Sequence, residues 1–117
     1  IFQIQIHTPP GSPIFVMKYS SGSCHLEVQI VGDQHGNVCA LSGRDCSTQR
    51  RFQKIFEEGP PTVADEDVFY DMQLAAMRLC KQMQYQGAGT VEFLYDPKTL
   101  KYYILELNPR LQVMFMH

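Results

Sequence analysis

The chain is short of the features that would send it to a membrane, a metal framework or a nucleic acid. No apolar run approaches the length of a bilayer span, and no charged-then-apolar leader pattern opens the chain. A membrane span is therefore not expected. The four cysteines, at 24, 39, 46 and 80, form no CxxC and have no histidine spacing that suggests zinc. Scattered thiols of this kind suit a reducing compartment such as the cytosol, although the spacing also tolerates a disulfide or two. Excess basic charge is missing too: the formal net charge is -2, so no global field draws nucleic acid. Internal repeats and low-complexity segments are absent. The chain opens on Ile rather than Met, so a processed chain or a fragment is expected.

What is present is globular. A length of 117 residues, 44% hydrophobic and 19% charged, suffices for one modest domain with a core. Residues 1–7 alternate apolar and polar like a strand, Thr8 to Pro13 breaks regular structure, and Ile14 to Lys18 reads as a short strand. A loop at 20–23 follows. In His25 to Ile30 the alternation is strict: Leu26, Val28 and Ile30 face a core, and His25, Glu27 and Gln29 share a wet face. The turn Gly32 to Asn37 returns the chain into a strand over Val38 to Leu41.

Arg44 to Lys54 holds four of the ten Lys and Arg residues. Beside Ser, Thr and Gln, these cations suit phosphate or carboxylate recognition. Composition alone favours a solvated loop, and nucleic acid is the weaker alternative because Phe52 is the stretch's one aromatic. Lys54 to Glu58 reads as another strand. Asp65 is a natural N-cap, with Glu66 and Asp67 complementing the helix dipole. Val68, Met72, Ala75, Ala76, Leu79 and Met83 recur at helical spacing as a buried stripe, and the helix should stop near Tyr85, with Gly87 available to terminate it.

The last third carries the densest chemistry. Thr90 to Tyr95 and Lys101 to Leu107 flank Asp96-Pro97-Lys98-Thr99, a hairpin signal. With the turn centred near Thr99, Leu94 faces Ile104 and Glu92 faces Glu106. Opposed like charges need a compensating cation, and a hard divalent ion completed by substrate phosphates fits. Asn108 and Arg110 add an oxygen ligand and a fixed cation. The bland alternative is a solvated hairpin face. The expected fold is α+β, one main helix packed on an antiparallel sheet.

The motifs GSPIFVM, HLEVQI, GRDCSTQRRFQK, GAGTVEFLY and LELNPRLQV together resemble the biotin carboxylase family of ATP-grasp ligases, most nearly the acetyl-CoA carboxylase type. The likeness runs from about Phe2 to Val113. Propionyl- and pyruvate carboxylases share most of these motifs. The resemblance implies that residues 1–117 are a central to C-terminal part of an ATP-grasp domain, incomplete at both ends. It implies a ligase in which ATP and bicarbonate form carboxyphosphate, whose CO2 passes to biotin on a carrier domain beside a carboxyltransferase domain, in fatty acid biosynthesis. The parent enzyme would be cytoplasmic, plastid or mitochondrial.

By the same resemblance, Glu92 and Glu106 hold Mg2+ or Mn2+ against ATP, with Asn108 as a further ligand. Met17, Lys18, Tyr19 and Ser20 line the adenine, His25 meets the ribose, and Gln49 meets the phosphates. Lys54, Arg110, Gln112 and Val113 hold bicarbonate, and Arg110 also stabilises negative charge on the reacting groups. Three departures stand out. Phe52 replaces a nucleotide-contacting His, Cys24 an Arg, and Met114 the Glu proposed as the base, and methionine takes no proton. The expectation is an ATP site only half present, with no autonomous turnover and weak residual Mg-nucleotide binding. The competing expectation is a truncated binding or interaction module that keeps the fold without the chemistry.

Overall fold

The computed structural model describes residues 19–51 and 53–110. The expected strands at 1–7 and 14–18 lie outside these residues, as do Met17, Lys18, Phe52, Gln112, Val113 and Met114.

Four long strands form one antiparallel sheet: β1 (Cys24–Gly32), β2 (Val38–Asp45), β5 (Gly87–Asp96) and β6 (Lys101–Asn108), in the order β2-β1-β5-β6. Two short strands, β3 (Gln49–Arg50) and β4 (Gln53–Lys54), pair as a separate ribbon. Among the described residues one helix, α1 (Glu66–Gln82), packs against β1 and β2.

The alternation in β1 does what its period requires. Leu26, Val28 and Ile30 are fully buried with Val91, Phe93 and Tyr95 of β5 and with Met72, Ala76 and Cys80 of α1. The Phe93 and Tyr102 rings meet edge to face at 5.7 Å. Burying such side chains contributes about 1.5–3 kcal/mol each, which makes this face the main source of stability. The other face departs from expectation, because Glu27 and Gln29 are buried as well, at 1% and 4% exposure. The segment after β2 folds across the start of β1. There Cys46 N donates to His25 O at 2.7 Å, and Ser47 Oγ accepts from His25 N at 2.9 Å. Gly43 permits the close approach of β2, since a Cβ there would lie 2.4 Å from Glu27 O and nearer still to the Phe69 ring.

Three expectations need correction. Lys54 to Glu58 is not a strand: β4 ends at Lys54, and Glu58 only bridges to Asp45. The stripe on α1 includes Cys80 and Phe69, whereas Met83 is 58% exposed, because the helix ends at Gln82 and Met83 is its C-cap. The residue that follows the C-cap in a left-handed conformation is Gln84, φ 51°, while Gly87, also at positive φ, starts β5 instead of ending the helix. Tyr85 N donates to Cys80 O at 2.9 Å and Gln84 N to Lys81 O at 3.1 Å, the paired bonds of a Schellman turn. The N-terminus matches expectation, with Asp65 Oδ1 accepting from Asp67 N at 3.0 Å.

A side chain held at positive φ is strained relative to glycine. Gln84→Gly is expected to raise stability by roughly 0.5–1 kcal/mol in urea denaturation. An unchanged or lower midpoint would show that Gln84 is not strained there.

Candidate functional site

The site is a lateral row across all four long strands, on the sheet face away from α1. Glu27 of β1 pairs with Arg44 of β2 on one side and with Glu92 of β5 on the other, and Glu92 pairs with Glu106 of β6. Strand spacing sets neighbours about 5 Å apart. The row therefore reads one cation, then three carboxylates.

The facing of Glu92 and Glu106 is as expected, for a reason the sequence did not show. Next to the turn the register is Asp96↔Lys101 and Leu94↔Tyr103, so Leu94 does not face Ile104. A bulge between Glu92 and Phe93 shifts the register by one, and that shift brings the glutamates opposite each other.

Lys54, at the end of β4, crosses over the row. Its Nζ donates to Glu92 Oε1 at 2.6 Å and to Glu27 Oε2 at 3.1 Å. Arg44 takes the other Glu27 oxygen through both Nε and Nη2, and its Nε lies 3.4 Å from Glu57 Oε2. The second Glu92 oxygen faces His25 Nε2 at 2.6 Å, while His25 Nδ1 lies 3.0 Å from Gln49 Nε2. Asn108 Nδ2 bridges Glu92 Oε1 at 2.8 Å and Glu106 Oε1 at 3.0 Å. Burial works against the charged form of Glu92, but the hydrogen bond and charge of Lys54, then His25, outweigh it and hold the carboxyl below the usual range. Burial likewise opposes the charge on Lys54, and the hydrogen bonds to Glu92 and Glu27 overcome it, raising the amine above its ordinary value.

Of the residues expected to act together, the structure gathers His25, Gln49, Lys54, Glu92, Glu106 and Asn108. Tyr19 is almost fully exposed, Ser20 hydroxyl bonds that of Ser23 at 2.5 Å, and Arg110 makes no ion pair among the described residues. The basic stretch is not a plain solvated loop, since of its four cations Arg44 and Lys54 turn inward onto carboxylates and Arg50 and Arg51 remain exposed. Sequence reasoning assigned no site role to Glu27, and to Arg44 only the general anion recognition of the basic stretch. Glu27 was legible only as a polar residue sharing a face with His25; its partners arrive from far along the chain.

Glu27, Cys46 and Glu57 present ligand atoms within 4.8 Å of one another. Their chemistry opposes a metal: Glu27 is already saturated by two cations, and the Cys46 thiol is pushed up to about 12 by burial and then by Glu27. The four cysteines are free thiols.

Residues 8–115 match the family model of the carbamoyl-phosphate synthase L chain, ATP binding domain. The chain belongs to that family. It is 62% identical over 104 residues to acetyl-CoA carboxylase 1 of Oryza sativa subsp. japonica, covering 89% of this chain and 5% of that protein. The acetyl-CoA carboxylase of Schizosaccharomyces pombe is 54% identical over 112 residues, 96% of this chain and 5% of that one. The chain thus spans about one twentieth of the curated relatives it matches. A biotin carboxylase–β-γ-ATP complex from Campylobacter jejuni superposes with TM-score 0.78 at 47% identity, over 82% of this chain and 21% of that one. The multifunctional pyruvate carboxylase of Rhizobium etli gives TM-score 0.79 at 44% identity, over 84% and 9%. The antiparallel sheet with one packed helix is the arrangement of these ATP-grasp biotin carboxylase neighbours. No helix of the described residues is long and apolar enough to cross a membrane.

The ion pairs fix a pH window. Glu92 titrates below its ordinary 4.5, so its stabilisation is complete above that value and is lost as pH falls through the folded-state value. Lys54 titrates above its ordinary 10.5, so its share is complete below that value and is lost as pH rises through the folded-state value. Urea midpoints across pH should form a plateau between these limits, and Glu92→Gln should lower the plateau and flatten the acid limb. An acid limb equally steep in the variant would refute the assignment.

Proposed function

We propose that the chain supplies the metal- and anion-binding part of an ATP-grasp site in a biotin-dependent carboxylase of the acetyl-CoA carboxylase type. The observation that carries this reading is the row of carboxylates crossed by Lys54: adjacent anionic and cationic groups held by strand pairing. The family match and the carboxylase relatives support it.

The donor set suits a hard divalent cation. Glu92 and Glu106 face each other, and the space between their Oε1 atoms already admits a positively polarised nitrogen, that of Asn108. Glu92 and Glu106 would hold Mg2+ or Mn2+, with Asn108 as the third residue beside them. Bound there, the ion would offset the charge of the ATP phosphates. Lys54 and Arg110, with Gln112 and Val113, would hold bicarbonate, and Lys54 would present its ammonium to the anion. Gln49 would orient the phosphates, His25 the ribose, and Met17, Lys18, Tyr19 and Ser20 the adenine. The biotin carrier and carboxyltransferase domains of a longer, cytoplasmic or organellar carboxylase would be the partners, with residues 1–117 a central to C-terminal part of its ATP-grasp domain.

A second reading, a fold-retaining module that binds without turnover, is favoured by Met114, which cannot serve as a base.

Calorimetric titration with Mg-ATP tests the first claim. Binding is expected in the chain and should weaken by about 100-fold in Glu92→Gln with Glu106→Gln, with circular dichroism showing both proteins folded. No heat from the unsubstituted chain, or equal affinity in the double variant, would defeat the reading.

A further inference from the structure

One cation of the row has no task in the proposed chemistry. Arg44 sits at the β2 end, separated from Glu92 by Glu27, and yet it is directed onto a carboxylate that is 1% exposed. Such a buried charge requires compensation, and Glu27 has two cationic partners: Arg44 on Oε1 and Lys54 on Oε2. They are not equivalent. The Lys54 ammonium lies nearer to Glu92, at 2.6 Å, than to Glu27, at 3.1 Å.

We propose that Arg44 is a positioning residue for Lys54, acting through Glu27: by occupying Glu27 Oε1, it leaves the ammonium on the Glu92 side of the row. Remove Arg44, and Lys54 becomes the one cation of the described residues within ion-pair reach of Glu27. Coulomb attraction at these separations is strong inside a protein, so the ammonium moves over Glu27 and away from Glu92. The consequence for substrate rests on the reading above, in which Lys54 holds an anion beside the metal carboxylates. An ammonium drawn onto Glu27 would be withdrawn from that anion.

The anchoring of Arg44 supports a fixed rather than incidental contact. Strand pairing sets it directly across from Glu27. Two of its nitrogens meet the same carboxylate oxygen, and Nε also lies near Glu57. Gly43, immediately before it, leaves β2 close enough to β1 for that reach. A lysine at position 44 would keep the charge but lose the fork, because its ammonium is a point donor.

The test follows Lys54 directly and needs no nucleotide. The full chain is labelled with 15N-lysine, and the side-chain ammonium resonance of Lys54 is assigned by its disappearance in Lys54→Met. Hydrogen bonds to two carboxylates should make this resonance resolved and slow to exchange. In Arg44→Met it should shift or broaden away from its position while the backbone amide spectrum stays dispersed. In Arg44→Lys it should persist at a displaced position. An unmoved resonance in folded Arg44→Met overturns the proposal. Where Arg44→Met does not fold, an unmoved resonance in Arg44→Lys overturns it and a displaced one supports it. Because the readout is taken without ligand, failure of the chain to bind Mg-ATP would sink the proposed function while leaving the placement of Lys54 separately decided.

Discussion

Burying an ionised carboxylate costs several kcal/mol unless cations and hydrogen bonds replace the lost water, and Glu27 is such a carboxylate at the centre of a sheet. Its solution shapes much of what surrounds it. Arg44 must come from β2 and Lys54 from β4, so the chain after β2 has to fold back across the face of β1. That crossing is held by the bond from Cys46 N to His25 O and by Ser47 Oγ, which accepts from His25 N, and it turns what pattern alone reads as a wet face into a covered one. The charges and the backbone path are one arrangement.

The two faces of the sheet do different work. On one, Leu26, Val28, Ile30, Val91, Phe93 and Tyr95 meet α1 and supply non-directional hydrophobic stability. On the other, the same strands space Arg44, Glu27, Glu92 and Glu106 at fixed intervals, with Lys54 and Asn108 tying them laterally. A period of two along each strand makes this division possible. Fixed dipoles and charges on a rigid sheet need little reorganisation when a charged ligand arrives.

Sequence reasoning reached α1, its Asp65 cap and the core face of β1, because these follow from local periodicity and capping chemistry; it reached the facing of Glu92 and Glu106 from a turn centre that the structure does not have. It placed the hairpin register half a residue from where the turn sits, and the bulge beside Glu92 absorbed the difference. It expected the helix to stop near Tyr85 with Gly87 available to terminate it, whereas the helix ends at Gln82 and Gln84 takes the left-handed position after the C-cap. Glu27 stayed unassigned, and Arg44 had only the general anion recognition of the basic stretch. Nothing local marks a buried ion pair whose members lie on different strands, and a cation in a polar stretch looks solvated until its partner is placed.

The sequence by itself determined the fold class, the composition of the core and the residue types available for chemistry, since alternation, helical spacing and caps act over a few residues. Only the tertiary structure decided that Arg44, Glu27, Glu92 and Glu106 stand in one row and that Lys54 spans it. The pairing of β1 with β5 joins segments about sixty residues apart, and such register is set by packing of the whole sheet rather than by any neighbouring residue.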